Sequence, residues 1–276
     1  MLTMDKTKIT FSFGKNWNDF ARSCLNEGRI QEAMKALAEF MGMKRLDGLS
    51  FLDVGSGSGL FSLAAYRLGA SEIISFDFDP FSVKCCEYLK EKEGSPVGWT
   101  ITEGSILDND FLENITKADV VYSWGVLHHT GSMWQAIRNA ARLVKPGGMF
   151  FIAIYNRVGG PFGSHSWLRL KRIYNNSSRV VKTLIEYSFI SLIVLKMLLT
   201  FKNPVSEIKN YKKNRGMSFR TDIRDSLGGY PYEFADAGEV FRFCKQEFGF
   251  VLENIRTVNG LGLNEFLFQK PMHLKE

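Results

Sequence analysis

Two carboxylates, a run of spaced glycines and a pair of adjacent histidines are the groups in this 276-residue chain whose types and spacing suit chemistry. In Asp53-Val54-Gly55-Ser56-Gly57-Ser58-Gly59, glycine at alternate positions lets a ligand lie almost against the main chain, because no Cβ intervenes and φ can be positive. Asp77 follows about 20 residues after the turn, the separation at which an α/β unit delivers a carboxylate able to accept both hydroxyls of a ribose. Phe78 offers a ring face to an adenine, and Asp79-Pro80 reads as the cap of a following helix. His129 is the preferred general base and His128 its rival, since imidazole titrates near neutral pH; His165 is a third candidate and a possible acceptor contact.

These residues need a sheet to hold them. Apolar runs at Phe51–Val54, Glu72–Phe76 and Ala118–Ser123 alternate with helical patterns through Ile154, which predicts a parallel sheet covered on both faces. Asp53 stands at the end of the first strand, and the third glycine comes one residue earlier than in a dinucleotide fingerprint. A carboxylate there repels a pyrophosphate and suits a cationic amino acid instead.

The pattern D-x-G-x-G-x-G resembles the first motif of the class I S-adenosylmethionine-dependent methyltransferases. The resemblance runs from about Phe11 to Lys270, is strongest from Phe51 to Asn156, and covers four motifs in family order. It implies an α/β, Rossmann-like, seven-stranded and mostly parallel sheet with helices on both faces, N-terminal helices and a helical cap insertion. It also implies S-adenosyl-L-methionine as cofactor and S-adenosyl-L-homocysteine as product. Cofactor contacts are expected from Asp53, Gly55, Ser56, Gly57, Gly59, Asp77 and Phe78. Ser105 and Ile106 stand at the adenine-edge turn, where many members carry Asp in place of Ser105; Ser123 and Trp124 lead into the segment over the methionine part. Leu143 to Gly148 matches the family's turn into strand five, and Phe250–Val258 and Leu263–Phe268 are expected as late strands, the second antiparallel.

Expected boundaries are 1–46 for an N-terminal helical lid, 47–158 for the cofactor-binding core, 159–224 for the cap, and 225–276 for the last helix and strands. Helical periodicity over Trp17 to Met43 places Phe20, Leu25, Ile30, Met34, Leu37 and Met41 near one stripe, with Phe11, Phe13 and Trp17 as lid candidates or packing residues. Between His165 and Thr221, twelve Lys or Arg stand against Glu186 and Glu207, so basic charge is concentrated in the insertion. Leu184 to Phe201 is apolar but interrupted by Glu186 and Lys196, too short a clean run for a membrane span. A lid over the substrate pocket, a homodimer face and a peripheral membrane contact all fit such helices.

A nucleic-acid partner is not expected despite a pI near 9.0, because the cations are interleaved with apolar helix and Ser123-Trp124-Gly125-Val126 replaces the Asn-Pro-Pro-Tyr-type motif of base-modifying relatives. Metal is not expected, since Trp124 and Asn156 stand where clustered carboxylates would be needed. Cys24, Cys85, Cys86 and Cys244 lack paired metal spacing and no signal peptide opens the chain, so a cytoplasmic enzyme is expected. Tyr155, Asn156, Tyr230, Tyr232 and Asn264 are expected at a small-molecule acceptor, and the Gly228-Gly229-Tyr230-Pro231-Tyr232-Glu233 loop, Arg215-Gly216-Met217-Ser218 and Gly262-Leu263-Asn264-Glu265-Phe266 resemble the ubiquinone-type (methyltransferase type 11 and 12) O-methyltransferases. The expected reaction is O-methylation of a phenolic, quinone-like or sugar-related hydroxyl by in-line transfer; N-methylation, an RNA or protein substrate, and a catalytically silent cofactor-binding module are the alternatives.

Overall fold

The computed structural model describes residues 26–215 and 219–272. Phe11, Phe13, Trp17, Phe20, Cys24 and Leu25 lie outside the described residues. Strands β1 (Ser50–Val54), β2 (Glu72–Asp77), β3 (Trp99–Glu103), β4 (Ala118–Trp124) and β5 (Val144–Tyr155) pair in parallel, while β6 (Val251–Arg256) and β7 (Leu263–Gln269) add an antiparallel hairpin beside β5. The spatial order is β3-β2-β1-β4-β5-β7-β6. Chain direction across the sheet therefore reverses between β1 and β4, and the crevice outside the carboxyl ends of those strands is where open α/β sheets take their ligands.

Alternation along β1 divides the core. Phe51 joins Leu63, Trp99, Tyr122 and Phe151 under α1 (Glu27–Met41), α2 (Leu60–Arg67) and α3 (Pro80–Lys92). Leu52 and Val54 join Val121, Phe150 and Ile152 on the other face, under α4 (Asn109–Glu113), α5 (Met133–Arg142) and the chain's last helix, Ala237–Phe248. Both faces of the sheet being covered explains why its central strands read as near-continuous apolar runs. Asp79 caps α3 by accepting from the Phe81 N–H at 2.9 Å, with Pro80 in the first turn. The turn expected at Pro146-Gly147-Gly148 is a bulge within β5: Ala118 pairs with Val144 and Val120 with Met149, with Gly147 at φ 75°.

Between β5 and the last helix the chain builds a cap from α6 (Ser164–Asn176), α7 (Arg179–Leu199), α8 (Pro204–Arg215) and α9 (Phe219–Gly228), and Ala237–Phe248 is α10. A separate apolar cluster of Tyr174, Ile223 and Leu227, packed by Phe189, Ile190 and Ile193, holds α6, α7 and α9 together. Glu186 is buried beside it and accepts from the Tyr174 hydroxyl at 2.9 Å and from Arg224 Nε at 3.1 Å. An acid that interrupts an apolar run in the sequence is thus the polar tie of the cap. Among the described residues, no helix is long and apolar enough to cross a membrane.

Candidate active site

The glycine loop is zipped to the end of β2. Gly55 and Ser56 donate their N–H groups to the Phe76 carbonyl at 2.8 and 3.1 Å, Gly57 donates to Asp77 Oδ2 at 2.9 Å, and Gly59 donates to the Ser56 carbonyl at 2.8 Å. These four main-chain donors are engaged inside the protein, so the loop offers close approach rather than an N–H cradle for a phosphate. A Cβ on Gly55 (φ 75°) would stand 2.4 Å from Val126 Cγ1. One on Gly59 (φ 80°), which caps α2, would stand 2.6 Å from Cys86 Sγ and 3.0 Å from the Cys86 Cα. Gly59→Ala combines left-handed strain with overpacking against α3 and is expected to cost about 2–4 kcal/mol of stability. Urea denaturation measures this as a lower midpoint at unchanged slope.

Asp77 projects from the β2 end with Oδ2 bound to Gly57 and Oδ1 accepting from the Asp79 N–H at 2.9 Å. Each oxygen keeps lone-pair capacity, so the carboxylate can still accept two hydroxyls. Burial raises its pKa to about 6 against the hydrogen bonds that hold it down. Asp53 lies deeper, 2% exposed, at the end of a chain that runs one way. Trp99 Nε1 donates to Ser75 Oγ at 2.9 Å, the Ser75 and Ser62 hydroxyls are 2.8 Å apart, and Ser62 donates to Asp53 Oδ2 at 2.5 Å. Because Ser62 has one proton and gives it to Asp53, Ser75 must be the donor to Ser62. Burial pushes Asp53 up to about 7. Its carboxyl therefore anchors α2 to the strand from beneath the loop.

Past β4, a single 3-10 turn, Leu127–His129, sends the two histidines to different places. His128 is fully buried, with its ring 4.0 Å from the Tyr155 ring and 4.6 Å from that of His129. Among the described residues neither of its nitrogens meets hydrogen-bond geometry, although the Ala153 backbone is near enough to favour its proton weakly; burial holds its pKa well below the ordinary imidazole value. His129 is part-buried, and its Nδ1 lies 2.5 Å from the Pro231 carbonyl. A carbonyl only accepts, so Nδ1 carries the proton and Nε2 carries the lone pair. Burial lowers the His129 pKa to about 4, more than the Pro231 bond raises it, with Lys171 adding to the depression. Pro231 reaches this place in the loop after α9, where the Tyr230–Pro231 peptide is cis and Glu233 N–H donates to the His128 carbonyl at 2.9 Å.

Tyr155 and Tyr232 complete the wall, 4.9 Å apart ring to ring, with Phe234 5.6 Å beyond Tyr232. From the cap, Lys171 enters with its residue only 2% exposed. Its ammonium lies 5.0 Å over the Tyr232 ring and 5.7 Å over Trp167, and donates to the Ser226 carbonyl. Burial lowers its pKa to about 7. An aromatic box with two neutral imidazoles and a lysine close to neutrality can remove a proton from a bound hydroxyl and hold the oxygen left behind.

Residues 52–152 match the family profile described as a methyltransferase domain. The ubiquinone biosynthesis O-methyltransferase of Methylobacterium sp. (strain 4-46) is 29% identical over 147 residues, covering 46% of this chain and 55% of that protein. That of Methylobacterium nodulans is 31% identical over 138 residues, covering 44% and 53%. The chain thus spans about half the length of these relatives. In fold it is similar to the magnesium protoporphyrin IX methyltransferase of Synechocystis PCC 6803, solved with bound SAH, at a TM-score of 0.54 and 14% identity, covering 93% of each chain. Residues 52–152 are a methyltransferase domain, carried on a fold similar to that of a methyltransferase solved with SAH.

Within the matched domain, Phe78 lies 58% exposed beside Asp77, with its ring at the rim of the crevice. Ser105 accepts from the Leu107 N–H at 3.2 Å, and Ile106, buried, is held through its carbonyl by Asn139 at 2.8 Å, so the turn after β3 is rigid. Ser123 donates to the Val54 carbonyl at 2.9 Å, tying β4 to β1, and Ser56 is buried under the loop. Trp124 Nε1 donates to Glu265 at 2.7 Å, leaving the ring 42% exposed. Asn156 and Asn264 bind each other at 3.0 Å and hold the Val258 and Gly260 backbone; both lock the loop before β7. Exposed His165 stacks edge-on against Phe234 at 5.1 Å, and Tyr230 precedes the cis peptide. Lys171 escapes sequence reasoning because it sits among surface cations on a basic insertion, and only the packing of Trp167 and Tyr232 around it sets it apart. Among the described residues, no group of His, Cys, Asp and Glu could hold a metal ion.

Proposed function

We propose that this chain transfers a methyl group from S-adenosyl-L-methionine to the oxygen of a small acceptor, a phenolic or quinone-like ring or a sugar-related hydroxyl, and releases S-adenosyl-L-homocysteine. Bound in the crevice, the cofactor supplies an electrophilic methyl carbon on a sulfonium. Asp77 would accept the ribose hydroxyls, Phe78 would cover the adenine, Ser105 and Ile106 would border its edge, and the Gly55–Gly59 loop with Ser123 and Trp124 would flank the methionine part. The cap and the 228–235 loop exclude water from the acceptor, so that alignment provides much of the rate. His129 Nε2 would take the acceptor's O–H proton, and the cofactor would supply the methyl group, its sulfur keeping the C–S electron pair. His128 and Tyr155 fix the His129 ring, and Tyr232 lies along the acceptor. Residues 47–158 and 225–276 form the core that carries this site, and 159–224 the cap that closes it.

The observation that carries this reading is the His129–Pro231 contact, which presents a neutral Nε2 lone pair beside the end of β4. A neutral amine needs no such base before attack, so a positioned acceptor of protons favours oxygen. The name shared by the Methylobacterium relatives, O-methyltransferase, supports the same choice. A panel of catechols, hydroxyquinones, sugars and amines, followed by methyl incorporation, tests it. Turnover on a hydroxyl acceptor with none on amines is the expected result, and amine turnover alone overturns it.

Cofactor affinity should also depend on pH with a defined sign. Asp77 is ionised above about pH 6, and the ionised carboxylate is the stronger acceptor for a diol. The dissociation constant for S-adenosylhomocysteine is therefore expected to be flat from pH 9 to 7 and to rise by at most about tenfold per pH unit below 6. Calorimetric titration across that range measures it.

A further inference from the structure

Helix α7 presents an apolar face to solvent that the methyl-transfer reading leaves without a task. Val180, Leu184, Leu192, Leu195, Leu198 and Leu199 are each more than half exposed, and Phe201 beyond its end is 99% exposed. At 100° per residue they fall on one arc of the helix, interrupted only by the small hydroxyls of Ser188 and Ser191. The opposite arc is already occupied, since Ile185, Phe189, Ile190 and Ile193 pack on the cap cluster and Glu186 ties the helix to Tyr174 and Arg224. An exposed stripe on a helix so anchored is a surface held outward, not a lid facing the acceptor. Monomeric proteins rarely expose contiguous apolar patches of such length.

We infer that α7 and the start of α8 dock on an anionic lipid bilayer, with the apolar stripe in the acyl boundary and the surrounding cations at the headgroups. Charge decides between occupants. Exposed Lys196 borders the stripe on α7, exposed Arg169 and Arg172 precede it in the chain, and exposed Lys202 and Lys209 follow it, while Lys182 turns to the Tyr174 ring of the cap. Of the two acids between His165 and Thr221, Glu186 is buried in the cap and Glu207 is exposed. A second copy would set this positive rim against an identical one, whereas anionic headgroups complement it. The helix has 21 residues, about 32 Å at 1.5 Å per residue, and carries Arg179, Lys182, Glu186 and Lys196, so it lies along the surface instead of crossing it.

Co-sedimentation of the full chain with vesicles of phosphatidylcholine alone, and of phosphatidylcholine mixed with phosphatidylglycerol, tests the assignment. Binding to the mixed vesicles and little to the neutral ones is expected, weakening with added salt. The variant Leu184→Ser/Leu195→Ser/Leu198→Ser should bind about tenfold more weakly or worse, and Lys196→Gln/Lys202→Gln should lose the preference for anionic lipid. These side chains are solvent-exposed, so melting temperature and S-adenosylhomocysteine affinity should stay at the parent values, which separates this outcome from any failure of the cofactor site. A parent chain that stays in the supernatant with both vesicles, or a serine variant that binds like the parent, overturns the inference. So does a dimer in sedimentation velocity that the serine variant abolishes without any vesicle binding, which would assign the face to a second copy.

Discussion

Replacing Asp77 by alanine should weaken S-adenosylhomocysteine binding by about a hundredfold or more. Two hydroxyl-to-carboxylate hydrogen bonds at about 1.5–3 kcal/mol each are lost, and a decade of affinity corresponds to about 1.4 kcal/mol. The same substitution frees the Gly57 N–H, which Asp77 Oδ2 holds at 2.9 Å, so the glycine loop also loses its tie to the end of β2. Asp77→Asn separates the two effects, because an amide oxygen can still accept from Gly57 while the charge on the diol is gone. Calorimetry is expected to rank the affinities as parent, then Asn, then Ala. Equal affinity in parent and alanine proteins would remove Asp77 from the cofactor site.

His129→Ala should lower turnover by about 10²–10⁴-fold while leaving cofactor affinity within a factor of two or so. The pH profile carries the sharper test. With its pKa lowered to about 4 by burial, His129 is neutral across the usual working range, so turnover at saturating cofactor should stay level from about pH 8 to 6 and fall only as pH approaches 4. Lys171 contributes positive charge to that depression, so Lys171→Met should move the acidic limb to higher pH. A residue serving the pocket only by packing would change the amplitude of the profile and not its limb. A parent profile with its midpoint at the ordinary imidazole value would contradict the burial of His129, and unchanged turnover in His129→Ala would remove it as the base.

Much of the sheet and the glycine turn after β1 were legible in the residues themselves. Alternating apolar runs and the turn glycines are local signals: Asp53 and Asp77 stand at the ends of β1 and β2, Gly55 follows β1 directly and Gly59 caps α2. The separation of His128 from His129 was not legible. It depends on one 3-10 turn and on a loop about 100 residues later in the chain, whose Pro231 carbonyl meets only His129. Lys171 and Glu186 were hidden for the same reason: their burial arises from helices that pack long-range, and a basic, apolar stretch looks alike whether a given charge faces water or the interior. Asn156 and Asn264, polar groups near the crevice, are bound to each other, a pairing that antiparallel β5–β7 register creates and no local pattern reveals.

A crystal structure with S-adenosylhomocysteine tests the central claim most directly. The ribose hydroxyls should lie within hydrogen-bond distance of Asp77, with the adenine against Phe78 and the sulfur facing the His129 side of the crevice. An adenosyl group bound elsewhere, or a crevice that stays closed over its own side chains at saturating ligand, would contradict the account.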